Sequence, residues 1–188
     1  MAIKKVLHYG EPSLREPSKE VHKVSKKIKD LINDLMDTMY AQNGVGLAAP
    51  QIGENLRIFV IDVATGNEPL NPIVFINPKI IKKSGAVKSN EGCLSFPETY
   101  TDVRRYANVM VKAINENGKP FVLEAKDGSL LARAIQHEND HLDGILFIDH
   151  CINRFEAEEV LKKHNLPDLD PDCLIEEKEL EDELNKND

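Results

Sequence analysis

Between Val24 and Gln42 the apolar positions are Ile28, Leu31, Ile32, Leu35, Met36 and Met39. Gaps of three and four place them on one face of a helix, and Ser25 offers the hydroxyl that caps its start. Asn43-Gly44 ends that helix, since both residues tolerate the left-handed backbone of a helix exit. The next stretch, GVGLAAPQIG, holds three glycines and a proline and is predicted to form no regular element. The runs 57–63 and 72–81 are rich in β-branched and aromatic residues between turn residues, and they predict strands. Residues 103–106, 109–115 and 120–126 alternate well enough to predict three more, with Asn117-Gly118 as the hairpin turn between the last two. Asp127-Gly128-Ser129 then opens a second helix with Ser129 as N-cap. Its apolar set is Leu130, Leu131, Ala134, Ile135 and Leu142, and Gly144 closes it. A third helix is predicted over 154–164, stopping before Pro167.

This order predicts an α+β fold. Antiparallel or mixed strands pack around a buried helix late in the chain, with further helices toward the N- and C-terminal ends. No internal repeat and no linker divides the chain. Residues 1–165 are expected to form one catalytic domain, followed by an acidic tail over 166–188.

Composition narrows the function classes. The 188 residues are 41% hydrophobic, enough for a sizeable core. No apolar run approaches the roughly 18 residues of a membrane span. The opening, MAIKKVLHYGEPSLRE, has neither a long apolar stretch nor a small-residue cleavage site, so no signal peptide is expected. Three scattered cysteines, Cys93, Cys151 and Cys173, argue against a disulfide framework and for a reducing compartment, the cytoplasm. The net charge of -8 is concentrated in 166–188, which hold ten acidic and two basic side chains, so the body is neutral. A strongly basic nucleic-acid surface is not supported, and no DNA binding and no membrane association are expected.

The chemistry concentrates in QHENDHLDG, residues 136–144. Positions four apart on a helix differ by about 40° and one turn, so His137 and His141 project side by side and can grip one divalent ion. Glu138 lies beside them, within reach of a water on that ion, which is the HExxH arrangement. The bland alternative is a pair of surface histidines on a polar helix. The apolar SLLARAI segment before them argues instead for a buried helix, where unpartnered imidazoles are costly. A catalytic site of this kind needs a third protein ligand. Glu156, Glu158 and Glu159 on the third helix would complete a thermolysin-like site, although a solvated helix would show the same residues. Cys93, in SNEGCLSFPE, is the other candidate. A lone cysteine is more often a small buried hydrophobe, but here Gly92 and Pro97 shape the turn and Glu91 and Ser95 offer hydrogen bonds.

Three segments together resemble the peptide deformylases: GVGLAAPQ (44–51), EGCLS (91–95) and QHENDHLDG (136–144). YGEPSLRE (9–16) and LFID (146–149) extend the likeness, which covers about residues 3 to 150. The resemblance implies a metal-dependent hydrolase that removes the formyl group from the N-terminal methionine of newly made polypeptides and releases formate. It implies Cys93, His137 and His141 as metal ligands and Glu138 as the proton-transferring carboxylate. Gln51 and the backbone N–H of Leu94 become the oxyanion donors. Val45, Gly46 and Leu47 become substrate contacts beside an added peptide strand. Leu130 and Ala134, on the His137 face of the helix, are candidates for a methionine pocket or for core packing. One thiolate and two imidazoles suit zinc, iron, cobalt or nickel. The resemblance favours Fe2+, with Zn2+, Ni2+ and Co2+ able to substitute. It also implies N-formylmethionyl nascent peptides as partners, with a transient ribosome association. A rival from another class is a metal-stabilised binding module that docks formylated peptides without turnover.

Overall fold

A computed structural model describes residues 2–64, 66 and 68–175. Its main elements are α1 (Lys26–Ala41), β1 (Gly46–Ala48), β2 (Ile58–Ile61), β3 (Ile73–Cys93), β4 (Phe96–Ile114), β5 (Pro120–Ala125), α2 (Leu130–Leu142) and α3 (Arg154–Lys163). The strands form one antiparallel sheet in sequence order, β1 to β5. The expected α+β class is what the chain adopts.

Both predicted caps are in place. Ser25 accepts from the Ile28 N–H and Ser129 from the Ala132 N–H, each satisfying a helix-start donor. Asn43 adopts φ 54° directly after α1, the left-handed exit read from Asn43-Gly44.

Strand β2, IFVI, is buried on both faces, because helices cover the sheet on either side. Ile58 and Val60 join Ile28, Leu31, Ile32, Leu35 and Met39 of α1 in one apolar cluster. Phe59 and Ile61 join Phe75 and α2 residues Ala132, Ile135 and Leu142 in the other. Burying each large side chain contributes about 1.5–3 kcal/mol, which is what fixes α1 and α2 on opposite faces. A third cluster, with Phe96, Val103, Phe147, Ala157 and Leu161, seats α3 against β4.

Two predictions need correction. The GVGLAAPQIG stretch was expected to be irregular, yet Gly46–Ala48 pairs antiparallel with β2 as Gly46↔Ile61, Leu47↔Val60 and Ala48↔Phe59, and a 3-10 turn follows over Ala49–Ile52. Long-range pairing overrides the poor strand propensity of glycine here. The strand predicted at 72–81 and the pair at 103–106 and 109–115 are fragments of two much longer strands. Strands β3 and β4 run as one hairpin, with register shifts between Ile76 and Lys79, between Ile80 and Lys82 and between Gly92 and Cys93. Part of the stretch expected as an acidic tail packs on the body: Leu169 is buried, and the Ile175 N–H donates to the Asp149 carbonyl at 2.9 Å. The rest of that tail, 176–188, lies outside the described residues.

Candidate metal centre and active-site cleft

Helix α2 presents its buried face to the end of the β3–β4 hairpin. Along that face lie His137, Glu138 and His141, all nearly inaccessible to solvent. The two imidazoles sit with ring centroids 5.1 Å apart, as the four-residue spacing predicts. Cys93 is the last residue of β3, and Leu94-Ser95 connect it to Phe96 of β4. That turn aims the thiol at the helix, so Cys93 Sγ stands 3.3 Å from His141 Nε2. One ligand-type atom from each of Cys93, His137 and His141 falls within 4.8 Å of the other two.

The donor set fits one divalent ion. A tetrahedral ion with ordinary metal–sulfur and metal–nitrogen bonds holds its S and N ligands about 3.6 Å apart, close to the observed spacing. His137 Nδ1 donates to Glu91 Oε2 at 3.0 Å, so its Nε2 lone pair is the one left for the cluster. His141 Nδ1 is buried with no hydrogen-bond partner among the described residues, so Nε2, the nitrogen beside the thiol, is its contribution.

Behind the Cys–His–His group runs a buried charged chain. Arg105 on β4 donates from Nε and Nη2 to Glu91, at 2.9 to 3.3 Å, and from Nη1 to Asp140 Oδ2. His150 Nε2 meets the same Asp140 oxygen at 3.0 Å. Burial alone would push the Glu91 carboxyl up, but Arg105 and His137 outweigh it and hold Glu91 well below the usual carboxylate range. Glu91 therefore stays ionised and fixes the tautomer and orientation of His137. Sequence reasoning gave Glu91 a general hydrogen-bonding role and missed Arg105, Asp140 and His150. An Arg104-Arg105 pair in an alternating strand reads as solvated, and only the fold shows that Arg105 is 2% exposed.

Glu138 lies beside His137 on the same buried stretch of α2. Burial pushes its carboxyl up to about 7. Its Oε2 is buried with no partner among the described residues, which leaves a lone pair able to accept a proton. Its Oε1 lies against Gly46. Gln51, 1% exposed, accepts the Ala48 N–H at Oε1 and donates from Nε2 to Cys93 Sγ at 3.3 Å and Ser95 Oγ at 3.2 Å. The structure thus places a side-chain amide donor beside the thiol and the Leu94 backbone at the adjacent turn.

A cleft of about 610 Å³ opens over this centre. Of the predicted substrate contacts, Val45, Gly46, Leu130 and Ala134 line it. Leu47 does not: its neighbours Gly46 and Ala48 face α2, so period-two alternation turns the Leu47 side chain into the α1 cluster, where it is fully buried. Glu156, Glu158 and Glu159 lie on α3 outside the Cys–His–His group, and Glu158 is paired with Arg154 at 2.9 Å.

Comparison with known proteins agrees with this geometry. The family model described as polypeptide deformylase matches residues 3–157. Peptide deformylase 1 of Clostridium acetobutylicum is 49% identical over 149 residues, covering 79% of this chain and 95% of that protein. Peptide deformylase 1 of Bacillus subtilis is 46% identical over 161 residues, covering 86% and 97%. A crystal structure of a peptide deformylase from Synechococcus elongatus in complex with actinonin superposes with a TM-score of 0.82 at 42% identity, covering 87% of this chain and 89% of that one. With the family model spanning most of its length and near-half identity to these relatives, the chain belongs to the polypeptide deformylase family.

Proposed function

We propose that Cys93, His137 and His141 hold the catalytic metal of a peptide deformylase, and that Glu138, Gln51 and the Leu94 N–H perform the hydrolysis around it. The reaction is the family's: removal of the formyl group from the N-terminal methionine of newly made polypeptides, giving formate and a free amine. The observation that carries the assignment is the convergence of a thiol from a strand end and two imidazoles from a helix beneath one cleft.

When bound, a divalent ion in this donor set supplies Lewis acidity and makes hydroxide available from water near neutral pH. The resemblance favours ferrous iron, and the donor set also accepts zinc, nickel or cobalt. The chain's own groups manage the rest. Water oxygen joins the formyl carbon as Glu138 accepts a proton at Oε2, its unpartnered atom. Gln51 Nε2 and the Leu94 N–H donate to the formyl oxygen as it gains negative charge, each supplying about 3 kcal/mol of stabilisation. The C–N bond then breaks, and Glu138 returns its proton to the departing nitrogen. Val45 and Gly46 flank the peptide backbone, while Leu130 and Ala134 offer apolar surface to methionine.

The remaining parts of this reading concern context. We place the protein in the cytoplasm, in transient association with the ribosome, where formylated N-termini emerge. Residues 1–165 act as one catalytic domain ahead of the acidic stretch 166–188.

The test measures formate release from formyl-Met peptides together with metal content. Anaerobically iron-loaded protein is expected to turn over, Glu138→Gln to keep its metal and lose nearly all turnover, and Cys93→Ala to lose stoichiometric metal. A parent protein that retains metal but releases no formate would favour a binding module instead. A full metal complement in Cys93→Ala would overturn the ligand set.

A further inference from the structure

The cleft carries a positive charge that the hydrolysis does not use. Arg133 lies one turn before His137 on α2, between Leu130 and Ala134 on the same lining wall. Its guanidinium is held from two sides: Nη1 donates to Ser89 Oγ at 2.6 Å and Nε to the Gly128 carbonyl at 3.1 Å. Both acceptors are neutral. Among the described residues no carboxylate stands within ion-pair distance of Arg133. The cleft's own acids are engaged elsewhere. Glu91 is bound by Arg105 and His137, Glu138 is buried against Gly46, and Glu98 sits on the rim 3.9 Å from His164. A pre-oriented, uncompensated guanidinium beside a peptide cleft is a carboxylate receptor.

The position of that carboxylate follows from strand geometry. In an extended peptide, side chains one and three point to the same side, about 7 Å apart. Methionine takes the apolar surface of Leu130 and Ala134, and the third side chain emerges on the same side about 7 Å away, within reach of the Arg133 guanidinium, which Gly128 and Ser89 draw off that surface toward the start of α2. We propose that Arg133 is a specificity-determining residue that recognises an acidic side chain at the third position of the formylated chain. The assignment rests on the formyl-hydrolysis reading given above.

The experiment compares C-terminally amidated formyl-Met-Ala-Glu, formyl-Met-Ala-Gln and formyl-Met-Glu-Ala on the metal-loaded full chain. Glutamate at position three is expected to lower KM about three- to fivefold relative to glutamine at unchanged kcat, the range of a partly exposed ion pair. The second-position glutamate is expected to gain less. Raising salt to about 0.5 M is expected to compress the ratio. In Arg133→Gln the Glu/Gln KM ratio is expected to fall to one, and Arg133→Lys is expected to retain part of it. Because the readout is a ratio, a general loss of α2 anchoring cancels. A purely structural tether would move all three peptides together and leave the ratio at its parental value, which would overturn the assignment. Turnover of all three peptides with equal KM would overturn it alone. Absence of formate from every peptide would overturn the hydrolysis reading and this assignment with it.

Discussion

Gly46→Ala should disable the site while leaving the fold almost intact. A methyl group built on Gly46 would lie 2.9 Å from Glu138 Cδ and 3.0 Å from Cγ, with its closest approach to Oε1. Ordinary carbon–carbon contacts begin near 3.5 Å, so something must move by about an ångström. The backbone of β1 is pinned by its ladder to β2, Gly46↔Ile61 through Ala48↔Phe59, and Gly46 does not adopt a left-handed φ. The Glu138 carboxylate is the mobile partner and leaves its position. The stability cost is an off-rotamer side chain, about 0.5–1.5 kcal/mol, offset by about 0.4–1 kcal/mol from the stiffer unfolded chain. The catalytic cost is larger, because a 1 Å misplacement of a reacting group lowers the rate about a hundredfold, or roughly 2.7 kcal/mol of barrier. The assay pairs kcat/KM for formate release with thermal melting and bound metal. Near-parental melting and metal with about a hundredfold lower kcat/KM is the expected result. Activity within twofold of the parent at full metal content would refute the placement of Glu138 as the proton carrier.

Two further outcomes follow from the charges around the site. Arg105→Met leaves Glu91 and Asp140 buried without their cation, a loss of about 3–5 kcal/mol by denaturant titration; a change under 1 kcal/mol would show that the chain behind His137 is not structural. Asp62, a buried residue whose N–H donates to the carbonyl of Val45 beside the cleft, accepts from the Ala64 and Asn71 N–H groups and from the Tyr40 hydroxyl at 2.7 Å. Burial opposes its ionisation, but these donors prevail and hold its pKa below the ordinary value. A depressed folded pKa contributes stability above the unfolded pKa, and that contribution is lost as pH falls through the folded one. The melting-temperature gap between parent and Asp62→Asn should therefore stay constant from neutral pH down to about 5 and shrink below about 4. A gap that persists undiminished at lower pH would contradict the assignment of those hydrogen bonds to the ionised form.

How far the sequence revealed this fold depended on where each element meets solvent. Helices α1 and α2 each bury one face, so their three-and-four spacing was visible and their serine caps marked the starts. The β3–β4 hairpin was not visible, because from Lys82 to Lys88 its side chains are exposed or half-buried and carry no two-residue alternation of polarity. Backbone pairing with β4 holds that stretch together, and pairing leaves no mark on composition. Strand β1 was hidden for a related reason: three residues including a glycine become a strand only when β2 is beside them. At the site, the histidine pair was legible because one helix supplies both members. Arg105 was not, since its two carboxylates lie 14 and 35 residues away in sequence.

The segment EGC shows how two different periods are joined to make the site. On a strand, residues i and i+2 point to the same side, so Glu91 and Cys93 both face α2 while Gly92 faces away. On the helix, residues i and i+4 share a face, so His137 and His141 both meet the strand. The pairing then follows without further design: Glu91 meets His137 at 3.0 Å and Cys93 meets His141 at 3.3 Å. A one-residue slip of β3 would turn both side chains away together and present Gly92 instead, so the register shift at Gly92/Cys93 and the tight turn at Leu94-Ser95 are constraints on catalysis as much as on the hairpin. A Cβ at Gly92 would stand 2.5 Å from the Tyr100 ring across the hairpin, so any side chain there has to displace that ring, which is itself exposed. What the geometry requires of the spacer between the Glu91 carboxylate and the Cys93 thiol is that it be a single residue, because only then do both groups reach the helix.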